Sequence, residues 1–303
     1  MTIRGIAGSL AIGAGLCAGA AGASTVSGFG DVETLTDIAP DTPRAGLGGT
    51  GKSTGTGFDI DLNFVGTPTA DQIAAFGAAE AFWERRITGY RNGFTMPIGS
   101  QNPDGGVRID AVFQSIDGPG NTLAQAGPDT GFENGTFIAV NSGLMAFDTA
   151  DLGAFASQFE LIVRHEMAHV LGWGVLWSDL NVAAFPNQTG PYVTGSGQYT
   201  GGALSTYQAE CDPLATFVPV ELDGGPGTAN GHWDETSFAC GDDDLLTGYL
   251  DTGDNPVSRT TLAAFHDIGL TISPVPAPMT LVLGLSALGA LGAVAGRRRR
   301  PAA

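Results

Sequence analysis

One short stretch limits this chain more than any other. His165-Glu166-Met167-Ala168-His169 follows the apolar lead-in of Phe159, Leu161, Ile162 and Val163, and runs on through Val170 and Leu171 to Gly172. Apolar residues at this spacing predict a largely buried helix from Gln158 to Leu171. Residues four apart on a helix are neighbours, so His165 and His169 share a face with Glu166 close by. Buried imidazoles need partners, and a metal ion is the economical one. Gly172 falls where such a helix must stop and turn, because glycine enters left-handed backbone geometry without strain. A His-Glu-x-x-His spacing fits a zinc hydrolase, in which the metal readies a water and the carboxylate acts as its base. The bland alternative is two polar residues on an exposed helix face. It sits badly with the apolar flanks and with a chain that has 4 histidines in all.

A catalytic zinc usually takes three protein ligands and leaves one position open, so a third donor is required. The compact pattern that adds a histidine three residues after the glycine fails, because Val175 stands there. His232 and His266 remain. His232 follows a loop-rich stretch of Gly, Pro and Thr, and an excursion of that length costs little to close, since closure entropy grows slowly with length. His266 sits in Leu262-Ala263-Ala264-Phe265-His266-Asp267, a helical pattern where a partly exposed histidine is ordinary.

The run HEMAHVLGWGVLW, then VPVELDGGPGTANGHWDE, then LLTGYLDTGDNPVSRTTLAAFHDIGL resembles the leishmanolysin-like metallopeptidases of bacterial type, a metzincin branch. With the upstream segments FDIDLNFVGTPTADQIAAFGAAEAFWERRITG (58–89) and SGLMAFDTADL, the resemblance spans about Gly57 to Leu270. It implies zinc held by His165, His169 and His232, with Glu166 as general base. It implies an α+β, zincin/metzincin-like fold: an upper lobe with a twisted mixed sheet and the active-site helix, over a loop-rich lower lobe. The family turn beneath the metal carries a methionine where this chain has Leu246, in Leu245-Leu246-Thr247-Gly248. Leucine for methionine nearly conserves volume and is cheap in a core. Tyr249, just past that turn, is a packed aromatic by default and a candidate oxyanion helper. Asp148 and Asp151 resemble a family feature before the zinc helix, with a capping or loop-ordering role expected.

The ends of the chain read differently from its middle. Residues 1–23 carry Arg4, an apolar Gly/Ala/Leu run and a small-residue stretch, the pattern of a cleaved signal peptide. Residues 24–57 read as a flexible leader, poor in apolar periodicity. Residues 58–273 form the expected metallopeptidase domain. In 274–303 a Val-Pro-x-Pro motif precedes an apolar segment, 279–296, and four arginines at 297–300. Eighteen such residues span roughly 27 Å as a helix, about one hydrocarbon core. This tail resembles the PEP-CTERM class, which implies a sorting or processing enzyme as partner and a transient or retained membrane anchor. Export to the cell surface or the medium is the expectation.

Charge narrows the partners. With Arg4 and the tail arginines set aside, eight basic residues face all 31 acidic ones. So acidic a surface excludes nucleic acid and anionic membrane as binding partners and leaves protein or peptide as substrate. Asp242-Asp243-Asp244 and the pair Asp251 and Asp254 could hold a structural Ca2+ ion, although no EF-hand spacing is present and solvated loop acids are the simpler account. Cys17 would leave with the signal peptide, so Cys211 and Cys240 are left as an even pair. In an exported chain they fit a disulfide bracketing His232, the alternative being two buried thiols. Alternation predicts strands at 58–64, 107–116 and 136–140, and Thr69 is placed to cap a helix running to about Ile87, with Ile73, Phe76 and Phe82 or Trp83 inward. The expected activity is peptide hydrolysis. The alternatives are a surface or matrix protein on a protease scaffold, and an amidase of cell-wall peptides.

Overall fold

The computed structural model describes Ser24–Ser27 and residues 57–274, apart from 98–99, 103–104, 121, 179–189 and 252. Its centre is a mixed five-stranded sheet. The strands are β1 (Ser24–Ser27), β2 (Ile60–Val65), β4 (Val107–Gln114), β5 (Ala124–Glu133) and β6 (Ile138–Asp148), in the order β1-β5-β6-β4-β2. β2, β4 and β6 run parallel, whereas β5 is antiparallel to both β6 and β1.

Two helices pack on this sheet. α1 (Ala70–Glu84) opens as the sequence predicts, with the Thr69 hydroxyl accepting from the Gln72 amide at 3.2 Å and the Gln72 side chain accepting from the Thr69 amide at 2.8 Å. α2 (Phe159–Val170) carries the His-Glu-x-x-His stretch. The Phe76 ring of α1 sits at the crossing, with centroids 5.0 Å from Phe64 of β2, 5.4 Å from Phe147 of β6 and 5.9 Å from Phe159 of α2. Edge-to-face rings at these separations are favourable beyond their area burial. The helices are also tied by the Trp83 indole, which donates to the carbonyl of Arg164 at 2.9 Å. These contacts fix the height of α2, and so of its polar residues, above the sheet.

The C-terminal half is mostly loops. β3 (Ile87–Tyr90) pairs with β9 (Leu270–Ile272), and β7 (Gln198–Tyr199) pairs with β8 (Val218–Pro219). Two further helices are α3 (Ala203–Glu210) and α4 (Arg259–Asp267). Trp173, Trp177, Tyr199, Trp233 and Phe238 form a continuous aromatic cluster here, with neighbouring centroids 4.4 to 5.4 Å apart. The Cys211–Cys240 pair is a disulfide, as expected.

Three expectations differ from the structure. Ser24–Ser27, assigned to a flexible leader, is strand β1 on the outer edge of β5, because an edge strand offers free amides and carbonyls to any extended backbone. β5 itself was not foreseen, and β6 runs eight residues past the expected Val140. Among the described residues, the acidic clusters do not converge as a metal site. Asp244 is buried and its carboxylate accepts from the amides of Leu246 and Ser258. The signal peptide expected at 1–23 and the apolar segment at 279–296 lie outside the described residues. No helix among the described residues is long and apolar enough to cross a membrane.

Candidate metal centre

α2 ends where the sequence says it must. Gly172 takes a φ of 98°, and the Trp173 amide reaches back to the Ala168 carbonyl at 3.0 Å. The turn that follows comes very close to the loop of His232. A Cβ added to Gly174 (φ 73°) would lie far inside van der Waals contact with the Gly231 carbonyl oxygen, so only glycine fits. The Trp177 indole also donates to the Asn230 carbonyl, at 3.0 Å.

That approach brings the third imidazole to the first two. The Nε2 atoms of His165, His169 and His232 form a triangle with sides of 3.0, 3.1 and 3.1 Å. Each Nδ1 meets a backbone carbonyl: Leu245 at 2.6 Å from His165, Trp173 at 3.0 Å from His169, and Thr228 at 2.9 Å from His232. A carbonyl can only accept, so each Nδ1 bears the hydrogen, and each Nε2 turns a lone pair to the centre. Burial, with the neighbouring imidazoles, pushes His165 well below its ordinary pKa; burial takes His169 down to about 4, and burial together with the nearby His169 takes His232 down to about 3. The three rings are therefore neutral at pH 7.

Three inward lone pairs with no hydrogen between them repel one another unless a cation lies among them. Zinc sits about 2.0–2.1 Å from imidazole nitrogen, so its donors must be under roughly 4.2 Å apart, and these are. The donor set and its spacing fit zinc. Among the described residues this is the group of three or more potential ligands that could hold an ion. His266, the rival in the sequence, is exposed on α4 and stands apart from the triad.

Glu166 is fully buried, and neither carboxylate oxygen has a hydrogen-bond partner among the described residues. Burial alone pushes its carboxyl well above the usual carboxylate range. An orphaned carboxylate on the turn between two inward imidazoles is costly for folding, which marks a group held ready for water or substrate.

Leu246 is fully buried in the core, and its carbonyl accepts from the Trp233 amide at 3.0 Å. Tyr249 is half-buried. Asp148 and Asp151 order the loop before β5. Asp148 accepts from the amides of Asp117, Gly118 and Ala150, and Asp151 from that of Gly120 at 2.8 Å. Sequence reasoning missed the groups that aim the imidazoles. Leu245, Trp173 and Thr228 act through their carbonyls, which leave no mark on residue type.

A buried triad of neutral imidazoles, two on a helix backed by a mixed sheet and the third on a loop, beside an unpartnered glutamate, is an arrangement that a metallopeptidase centre needs. The sequence profile of the leishmanolysin peptidases (Peptidase_M8, Leishmanolysin) matches residues 116–282, more than half of the chain. The chain belongs to the leishmanolysin family of metallopeptidases. No curated protein and no solved structure matches it.

Proposed function

We propose that this protein is a zinc endopeptidase whose metal is held by His165, His169 and His232 and whose general base is Glu166. One observation carries the reading: three Nε2 lone pairs meet within 3.1 Å, one helical turn from a buried carboxylate without a partner. When bound, zinc supplies Lewis acidity, which brings the pKa of a water to about 7 and polarises a carbonyl. The chain's residues do the rest. Glu166 takes a proton from the attacking water at a carboxylate oxygen and passes it to the amine nitrogen as the peptide bond breaks. Its raised affinity for protons suits a group that must hold one between those two events. The carbonyls of Leu245, Trp173 and Thr228 keep each ring in the tautomer that offers Nε2. No serine or cysteine nucleophile enters the reaction.

The proposed catalytic domain is residues 58–273, with β2, β4, β5, β6, α1 and α2 as a zincin-like upper lobe and the loop-rich half as the lower one. The substrate is protein or peptide. Export belongs to this reading, supported by the composition of 1–23 and by a disulfide, which persists in oxidising compartments. The test is cleavage of casein by the zinc-loaded protein and by its Glu166→Ala variant. Activity lost in the variant supports the base. Equal, negligible cleavage by both leaves a binding scaffold or a much narrower substrate, such as a cell-wall peptide.

A further inference from the structure

The carbonyls and turns that aim the three imidazoles trace back to one residue outside the metal centre. Thr261, in the first turn of α4, is fully buried. Its hydroxyl lies 2.8 Å from the Trp233 indole nitrogen, 3.1 Å from the Ser258 hydroxyl, and 3.0 Å from each oxygen of Asp244. Its carbonyl accepts from the Trp173 indole at 3.3 Å. An indole N–H can only donate and a carboxylate can only accept, so the single hydroxyl hydrogen goes to Asp244 and the two lone pairs take Trp233 and Ser258. The hydroxyl's capacity is filled. Asp244 in turn accepts from the amides of Leu246 at 2.9 Å and Ser258 at 2.8 Å.

Each arm of this network ends at a different imidazole. Trp233 is the covalent neighbour of His232, and its amide also donates to the Leu246 carbonyl. Trp173 supplies the carbonyl that receives Nδ1 of His169. Asp244 fastens the turn whose Leu245 carbonyl receives Nδ1 of His165. We propose that Thr261 is a positioning residue for the metal centre, anchored on Asp244: its hydroxyl sets the directions of His232 and His165 through Trp233 and Asp244, and its backbone carbonyl steadies His169 through Trp173. The inference rests on the zinc assignment of His165, His169 and His232.

A packing role and a positioning role for Thr261 make opposite demands. Valine keeps the shape and drops the hydroxyl, leaving a buried indole N–H without an acceptor and Asp244 short of a donor. Serine keeps the hydroxyl and drops a methyl. The experiment measures zinc affinity of the full-length protein by competition with a coloured chelator, together with the visible absorption of the cobalt-substituted protein. Thr261→Val is expected to weaken zinc binding about 10- to 100-fold, the usual effect of losing a partner behind a metal ligand, and to alter the cobalt bands. Thr261→Ser is expected to match the wild type in both. If Thr261→Val does not fold, Trp233→Phe removes the indole donor with the hydroxyl intact and is expected to weaken zinc binding likewise. Wild-type affinity and spectrum in Thr261→Val, or in Trp233→Phe where that variant takes its place, overturn the proposal, as does a loss in Thr261→Ser equal to that in Thr261→Val. A wild-type protein that binds no zinc overturns the metal assignment itself, and the proposal with it.

Discussion

His232 donates from Nδ1 to the carbonyl of Thr228, four residues earlier in its own loop, at 2.9 Å. His169 does the same with Trp173, four residues later, at 3.0 Å. These two imidazoles are aimed from within their own segments, whereas His165 depends on Leu245, 80 residues away. Removing His232 leaves two donors where a catalytic zinc takes three. His232→Ala is therefore expected to lose its zinc on dialysis, and His266→Ala to retain it. Metal content by atomic absorption decides the matter; equal retention by both variants would sink the assignment.

Glu166→Gln keeps the shape of the side chain and removes its basicity. Hydrolysis is expected to fall about 10²- to 10⁴-fold, the usual contribution of a positioned acid–base group, with zinc content unchanged. If zinc is lost along with activity, Glu166 holds the metal rather than the proton.

Glu235 offers a test by pH. Burial, and next the charge of Asp251, raise its carboxyl from the ordinary 4.5 to about 7. Between these values the folded protein keeps a proton that the unfolded chain has released, so the stability this group contributes falls as pH rises through the window. Glu235→Gln removes that loss. Its melting temperature is expected to exceed the wild type's at pH 8 and to match it near pH 4; an equal difference at both would point to a cause other than the titration.

The disulfide closes a loop between residues 29 apart, with His232 inside it. A link of this span contributes about 2–4 kcal/mol. The Cys211→Ser/Cys240→Ser double variant is expected to lose that much in urea unfolding and to bind zinc more weakly. An unchanged urea midpoint would show that the aromatic cluster holds the loop without help.

Leu246→Met restores the residue type expected at the turn. The swap nearly conserves volume, so unfolding free energy is expected to change by less than about 1.5 kcal/mol, with casein cleavage unaltered. A large gain in activity would give the sulfur a role beyond packing.

Much of this was legible in the residues. The Thr69 cap and the apolar period of Phe159–Val170 are local signals, and both elements form where they point. β5 was not legible, because Ala-Gln-Ala-Gly-Pro-Asp-Thr-Gly-Phe-Glu has none of the β-branched density of a strand, and its register slips around Pro128 and Thr130. It is a strand because β6 lies beside it. His165 and His169 follow from spacing, whereas choosing His232 over His266 took the family resemblance. Thr261 was beyond reach, since a threonine in the first turn of a helix is common and its partners other than Ser258 lie 17 to 88 residues away in sequence.

The close approach of Gly174 to Gly231 has an architectural consequence. The chain leaves the metal centre at one glycine and re-enters it at the other, and the two backbones touch. The described residues between them are joined to the centre through this neck and through the aromatic cluster. Lengthening such a loop costs little once its ends are fixed. Exposed positions on the excursion, such as Leu214, are places where surface can change while Thr228, the Cys211–Cys240 link and the aromatic cluster keep the three imidazoles where they are.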